Sequence, residues 1–161
     1  MTIFGKRLAE YVAFAKPFLI LILAVGIARL ALSLGGADST ARWVSITAAI
    51  WIGVLYYAIR VHTTGFGSYK QLLPICVLLS LTAQVIIVPA IILAIYTGTH
   101  NIYSIPENYF GNDGKTWLHA ALHLLVGTTI APLMGWLVGC VIMFATKKLV
   151  TNKDTYATAR G

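Results

Sequence analysis

Two histidines, His119 and His123, stand four positions apart in an apolar stretch. On a helix of 3.6 residues per turn they share one face. Two imidazoles so placed can hold a divalent metal together, or one can serve as an axial haem ligand. The same spacing in HExxH would mark a metallohydrolase, whose glutamate is the general base. Here the intervening residues are Ala120, Ala121 and Leu122, so a hydrolase is not indicated. Completing a metal site falls to the preceding loop, where His100, Glu107 and Asp113 are the available donors. A haem b site would pair His123 with His100 or His119. The bland alternative is a structural pair that only makes hydrogen bonds. His123 lies six residues beyond Trp117, or about 9 Å deeper along a helix. A charged ring at that depth would lose its hydration, so a neutral, paired imidazole is expected.

The row continues at every fourth position through Gly127, Ala131, Gly135 and Gly139. Steps of four drift by about 40° each on an α-helix, so the row is a slow spiral. Its small residues allow close approach of a crossing helix, from this chain or from another subunit.

Such a helix needs partners to position it. The chain has 161 residues, 58% hydrophobic and 11% charged. A soluble domain carries roughly 25% charged residues, so too little polar surface remains for a water-soluble globule. The expected class is an all-α membrane protein: four transmembrane helices in an antiparallel bundle, contacting membrane lipids. Spans are predicted over about 17–34, 43–60, 72–96 and 116–145, forming one domain over 17–146, with a polar tail over 147–161. Residues 1–16 read as a short interfacial amphipathic helix, with Phe4, Leu8, Tyr11, Val12 and Ala15 on one side. Pro17 then suits the first turn of the first span. That span's apolar run exceeds a signal-peptide core of about 7–15 residues, so a retained span is expected.

Within the spans, Arg29 and Gln84 are the polar residues expected to make intramembrane contacts. Trp43 and the Tyr56–Tyr57 pair read as interface markers of the second span. Pro89 and Pro132 should perturb the third and fourth spans, and Gly65-Phe66-Gly67 reads as a tight turn between antiparallel helices. Cys76 and Cys140 form no CxxC and read as buried apolar positions.

The formal net charge of +7 comes from 12 Lys and Arg against 5 Asp and Glu. These residues flank the spans instead of forming a patch, so nucleic acid is not the expected partner. Lys6, Arg7, Lys16, Arg60, Lys70, Lys147, Lys148, Lys153 and Arg160 fall on one side, and only Arg42 and Lys115 on the other. By the positive-inside rule both termini are expected in the cytoplasm, as in a bacterial inner membrane.

No span carries an Asp or Glu, so a proton relay or cation carrier lacks its usual carboxylate. No serine or threonine cluster suggests a nucleophile. The expected function is therefore a non-catalytic accessory subunit that docks with other membrane subunits of an energy-transducing or transport complex. The runner-up is a haem- or metal-binding electron-transfer subunit using the outer histidines. A small-molecule channel or carrier comes third.

Overall fold

The computed structural model describes residues 2–105 and 114–150. Four helical segments in it are long and apolar enough to cross a membrane: Leu8–Leu34, Asp38–Thr63, Tyr69–Thr97 and Trp117–Leu149. Two of them are divided. The elements run β1 (Thr2–Ile3), β2 (Lys6–Arg7), α1 (Leu8–Leu34), α2 (Asp38–Trp43), α3 (Ile46–Thr63), α4 (Tyr69–Thr97), α5 (Trp117–Thr128) and α6 (Ile130–Leu149).

The start of the chain differs from expectation. Instead of a separate amphipathic helix, β1 and β2 pair as a two-residue-loop hairpin, Thr2 opposite Arg7. Its loop residues Phe4 (φ 49°) and Gly5 (φ 86°) both have positive φ, the signature of a tight type I′ turn. Helix α1 then begins at Leu8 and runs through Pro17 without a break. The start is fixed by a capping interaction: the Arg7 backbone N–H donates to Glu10 Oε2 at 2.8 Å. Pro17 costs one backbone bond, to the carbonyl of Ala13, but the capped turns before it carry the helix onward.

The hairpin is tied down at several points. Tyr11 donates its hydroxyl to the Ile3 carbonyl (2.9 Å), and Gln71 Nε2 donates to the Phe4 carbonyl (2.9 Å). The turn between α3 and α4 inserts Phe66 here, stacked on Phe14 with ring centroids 3.9 Å apart. Tyr57, read as an interface marker, is instead fully buried between Phe14 and Phe18. Its neighbour Tyr56 points outward, as does Trp43.

Helix α4 is the hub: it packs against α1, α3, α5 and α6. It survives both Pro74 and Pro89 and stops at Gly98, whose φ of 71° supplies the left-handed cap. Its start carries a capping box between Ser68 and Gln71. The loop before α3 is not irregular throughout, since α2 forms there, with Ser33 donating to Asp38 at its first turn.

The fourth segment breaks at Thr129, between α5 and α6. Pro132 has no N–H to give the Thr128 carbonyl, and Thr128 and Thr129 turn their hydroxyls back to the Leu125 carbonyl. The buried Ser80 hydroxyl on α4 donates to the Gly127 carbonyl just before the break.

The small-residue row is used within the chain. Gly127 faces Gln84, Gly135 faces Val54 and Cys76, and Gly139 faces Leu72 and Val54. Ala131 is exposed.

Candidate functional site

The break at Thr129 sets the geometry of the site. Below it α6 packs against both α3 and α4; above it α5 packs mainly on α4. The upper half of α3 is thus left apart from α5, and a wedge of about 550 Å³ opens between them. Its walls come from α3 (Thr47, Ile50, Trp51), α4 (Cys76, Ser80, Gln84), α5 (His119, His123, Gly127) and α6 (Met134, Gly135). Trp51, Leu122, Val126 and Met134 form a rim that is exposed at the surface of the chain. No Asp, Glu, Lys or Arg lines the wedge among the described residues.

Both predicted histidines belong to this wall. Their ring centroids are 4.8 Å apart. His119 is almost fully buried, and its Nδ1 donates to the Gly114 carbonyl at 2.7 Å. A carbonyl only accepts, so Nδ1 carries the proton and, in the neutral ring, Nε2 is the acceptor nitrogen. That arrangement, with one ring nitrogen anchored to a backbone carbonyl, is how metal-ligating histidines are commonly oriented. His123 stands one turn deeper and is partly buried.

Gln84, expected to make an intramembrane contact, packs against α5. Its amide packs directly on Gly127, where any Cβ would overlap it. Gln84 is 9% exposed, lines the wedge, and its Oε1 has no hydrogen-bond partner among the described residues.

Of the other expected donors, His100 falls among the described residues. His100 lies on the exposed flank, its Nε2 accepting from Lys115 Nζ at 3.0 Å. The described residues contain no group of three or more His, Cys, Asp or Glu able to hold a metal. Glu107 and Asp113 lie outside the described residues. Arg29 sits on α1, away from the wedge, with its guanidinium 5.4 Å from the Tyr103 ring centroid. Tyr103 in turn donates its hydroxyl to the Gly26 carbonyl at 3.1 Å. Burial raises the Tyr103 pKa above its ordinary value, against a smaller opposing effect of Arg29, so the phenol stays a neutral donor.

Around it the loop closes on itself. Asn101 N–H donates to Ser104 Oγ, Ser104 N–H to the Asn101 carbonyl, and Tyr103 N–H to Asn101 Oδ1. Asn101 Nδ2 also reaches the Ala90 carbonyl at 2.7 Å. This buried knot supports Gly114, whose backbone lies against that of Ser104. The histidine end is therefore held by the loop and not only by its own helix.

Ser80, Thr47 and Trp51 are site residues that sequence reasoning missed. For Ser80 a signal was available: Cys76, Ser80 and Gln84 repeat every fourth position on α4, as His119, His123 and Gly127 do on α5. Two matching rows on adjacent helices make one lined groove. The chain as a whole matches no protein-family model, no curated protein and no solved structure.

Proposed function

We propose that this chain is a four-span integral membrane protein, an antiparallel bundle with both termini in the cytoplasm. It works as a non-catalytic subunit of an energy-transducing or transport assembly, and its working element is the wedge, which holds a lipid-soluble molecule. The wedge is the observation that carries this reading. It is apolar, uncharged and open at an exposed apolar rim, and it contains a few convergent polar groups, as small-molecule sites do. The glycine row, being used inside the chain, lends the assembly no surface; the long outer loop and the lipid-facing helix faces are what remain for partners.

Orientation rests on the charge asymmetry. A Ser39→Cys substitution, at an exposed position of α2, should react with a membrane-impermeant maleimide in intact cells. Reaction only after permeabilisation would reverse the topology.

Occupancy is tested by native mass spectrometry of the full chain after mild detergent extraction. The parent should carry an additional small-molecule mass. Ile50→Trp, which places an indole in the wedge, should lose it while remaining folded. A bare parent spectrum, with Ile50→Trp indistinguishable from it, would remove the ligand reading.

A second reading has its own observation, the anchored Nδ1 of His119. It is a haem-binding electron-transfer subunit with His119 or His123 as a ligand and the opposite ligand supplied by a partner. The same preparation would then show a Soret band that His123→Ala removes. A featureless visible spectrum leaves the first reading alone.

A further inference from the structure

Resting on α1 as a membrane span, we infer that Arg29 marks a second site, which takes the phosphate of a negatively charged phospholipid. It is separate from the wedge, whose walls do not include Arg29. The first observation is a cation without an anion. Arg29 stands five residues before the end of α1 at Leu34, about 7.5 Å inside the apolar segment. A guanidinium keeps its charge at any ordinary pH, so at that depth it needs a counter-ion. The two carboxylates among the described residues are Glu10 and Asp38. Glu10 lies at the other end of α1, beside Lys6 and Arg7, and Asp38 accepts from Ser33. Arg29 makes no hydrogen bond or ion pair among the described residues.

The second observation is that the cation is held in place. Its Cζ lies 5.4 Å from the Tyr103 ring centroid. That ring is itself fixed, by its hydroxyl on the Gly26 carbonyl and its backbone N–H on Asn101 Oδ1. An aromatic face attracts a cation but brings no negative charge to neutralise it. The guanidinium is therefore positioned by the chain and left unsatisfied by it.

The third observation is access. Arg29 is partly exposed, and its neighbours Ile27 and Ala28 are exposed. Nε is sealed inside the chain, but Nη1 and Nη2 are not among the sealed polar atoms. The outer end of the fork is the part that meets the surroundings. In a bilayer the anionic oxygens near that level are phosphates at the hydrocarbon boundary, toward which an arginine stem extends. Two parallel N–H groups match two phosphate oxygens. A zwitterionic lipid brings its own ammonium to compete for them. A lipid of net negative charge, such as phosphatidylglycerol, does not.

The test is native mass spectrometry of the full-length chain, delipidated in detergent and titrated with dioleoylphosphatidylglycerol or dioleoylphosphatidylcholine. The first phosphatidylglycerol should bind the parent about tenfold more tightly than phosphatidylcholine does, as expected for charge-assisted hydrogen bonds. Arg29→Gln should abolish that preference. Arg29→Lys, which keeps the charge and loses the fork, should fall between the two. Arg42→Gln removes an equal charge from an exposed position of α2 and should leave the first binding step unchanged. Circular dichroism melting shows which variants are folded, and the comparison of the two lipids on the parent needs no variant. A parent without preference, a folded Arg29→Gln that binds like the parent, or an equal loss in Arg42→Gln would overturn the inference. So would a parent indifferent to both lipids from which Arg29→Gln detaches a co-purifying membrane subunit, since the counter-ion would then be a carboxylate of that subunit. If the chain does not fractionate with membranes, the span reading fails and this site with it; a membrane-inserted chain without the lipid preference fails this inference alone.

Discussion

Gly139→Leu should lower the stability of the folded chain by about 3 kcal/mol, the upper end of the overpacking range. A Cβ at this position would sit 2.7 Å from Leu72 Cδ2 and 3.5 Å from Val54 Cγ1, and leucine adds three further carbons. Both neighbours are buried core residues of other helices, so the clash is relieved only by moving α6 away from α3 and α4. Gly135→Leu should cost less. Its Cβ would meet Val54 Cγ2 at 3.3 Å and Cys76 Sγ at 3.9 Å, and the wedge beside it can take the side chain. Val141→Leu, on an exposed face, should be neutral. Thermal unfolding in detergent ranks the three. If Gly139→Leu melts with the parent, the spiral of small residues is not a packing interface.

Gly114→Ala should loosen the histidine end of the wedge by displacing the carbonyl that anchors His119. The new Cβ would overlap the carbonyl oxygen and carbon of Ser104. These are backbone atoms of a fully buried residue, fixed within the Asn101–Ser104 knot, and they cannot give way. The segment at 114 must retreat, and its carbonyl is the acceptor for His119 Nδ1. Losing that bond in a buried site costs about 1–3 kcal/mol. The direct readout is the imidazole ¹⁵N spectrum: the hydrogen-bonded Nδ1 proton of His119 should be present in the parent and lost in Gly114→Ala. His100→Ala, on the exposed flank, should leave it intact. A persistent Nδ1 signal in the alanine variant would show that the loop does not orient this ring.

The four long apolar helices were legible because their signal is cumulative: many residues of low polarity over a known length. Single positions were harder. Pro17 satisfies the rule for a helix start, yet the Arg7–Glu10 cap lies ten residues earlier and the helix simply runs through the proline. Tyr57 fits an aromatic belt in one dimension, but a helix rotates adjacent residues by about 100°, which turned Tyr57 inward and Tyr56 outward. The break in the fourth segment was foreseeable from Pro132 with Thr128 and Thr129. Its consequence, a lined opening between α3 and α5, was not, since it depends on which helix each half packs against. The pairing of His119 with His123 is local: four positions apart on one helix, their rings lie 4.8 Å apart. Whether His100 joins them is a question of distance between segments, on which spacing along the chain is silent.

The amino-terminal hairpin bears on the order of events during synthesis. Phe4 is held by Gln71, and Phe14 by Phe66, more than fifty residues downstream. Helix α1 therefore emerges before the residues that seat it exist. It can form at once from local bonds, but its final rotation waits for α4 to arrive beside it. The Arg7–Glu10 cap is local and needs none of those later residues. The hairpin thus settles only once its anchors on the later segments are in place.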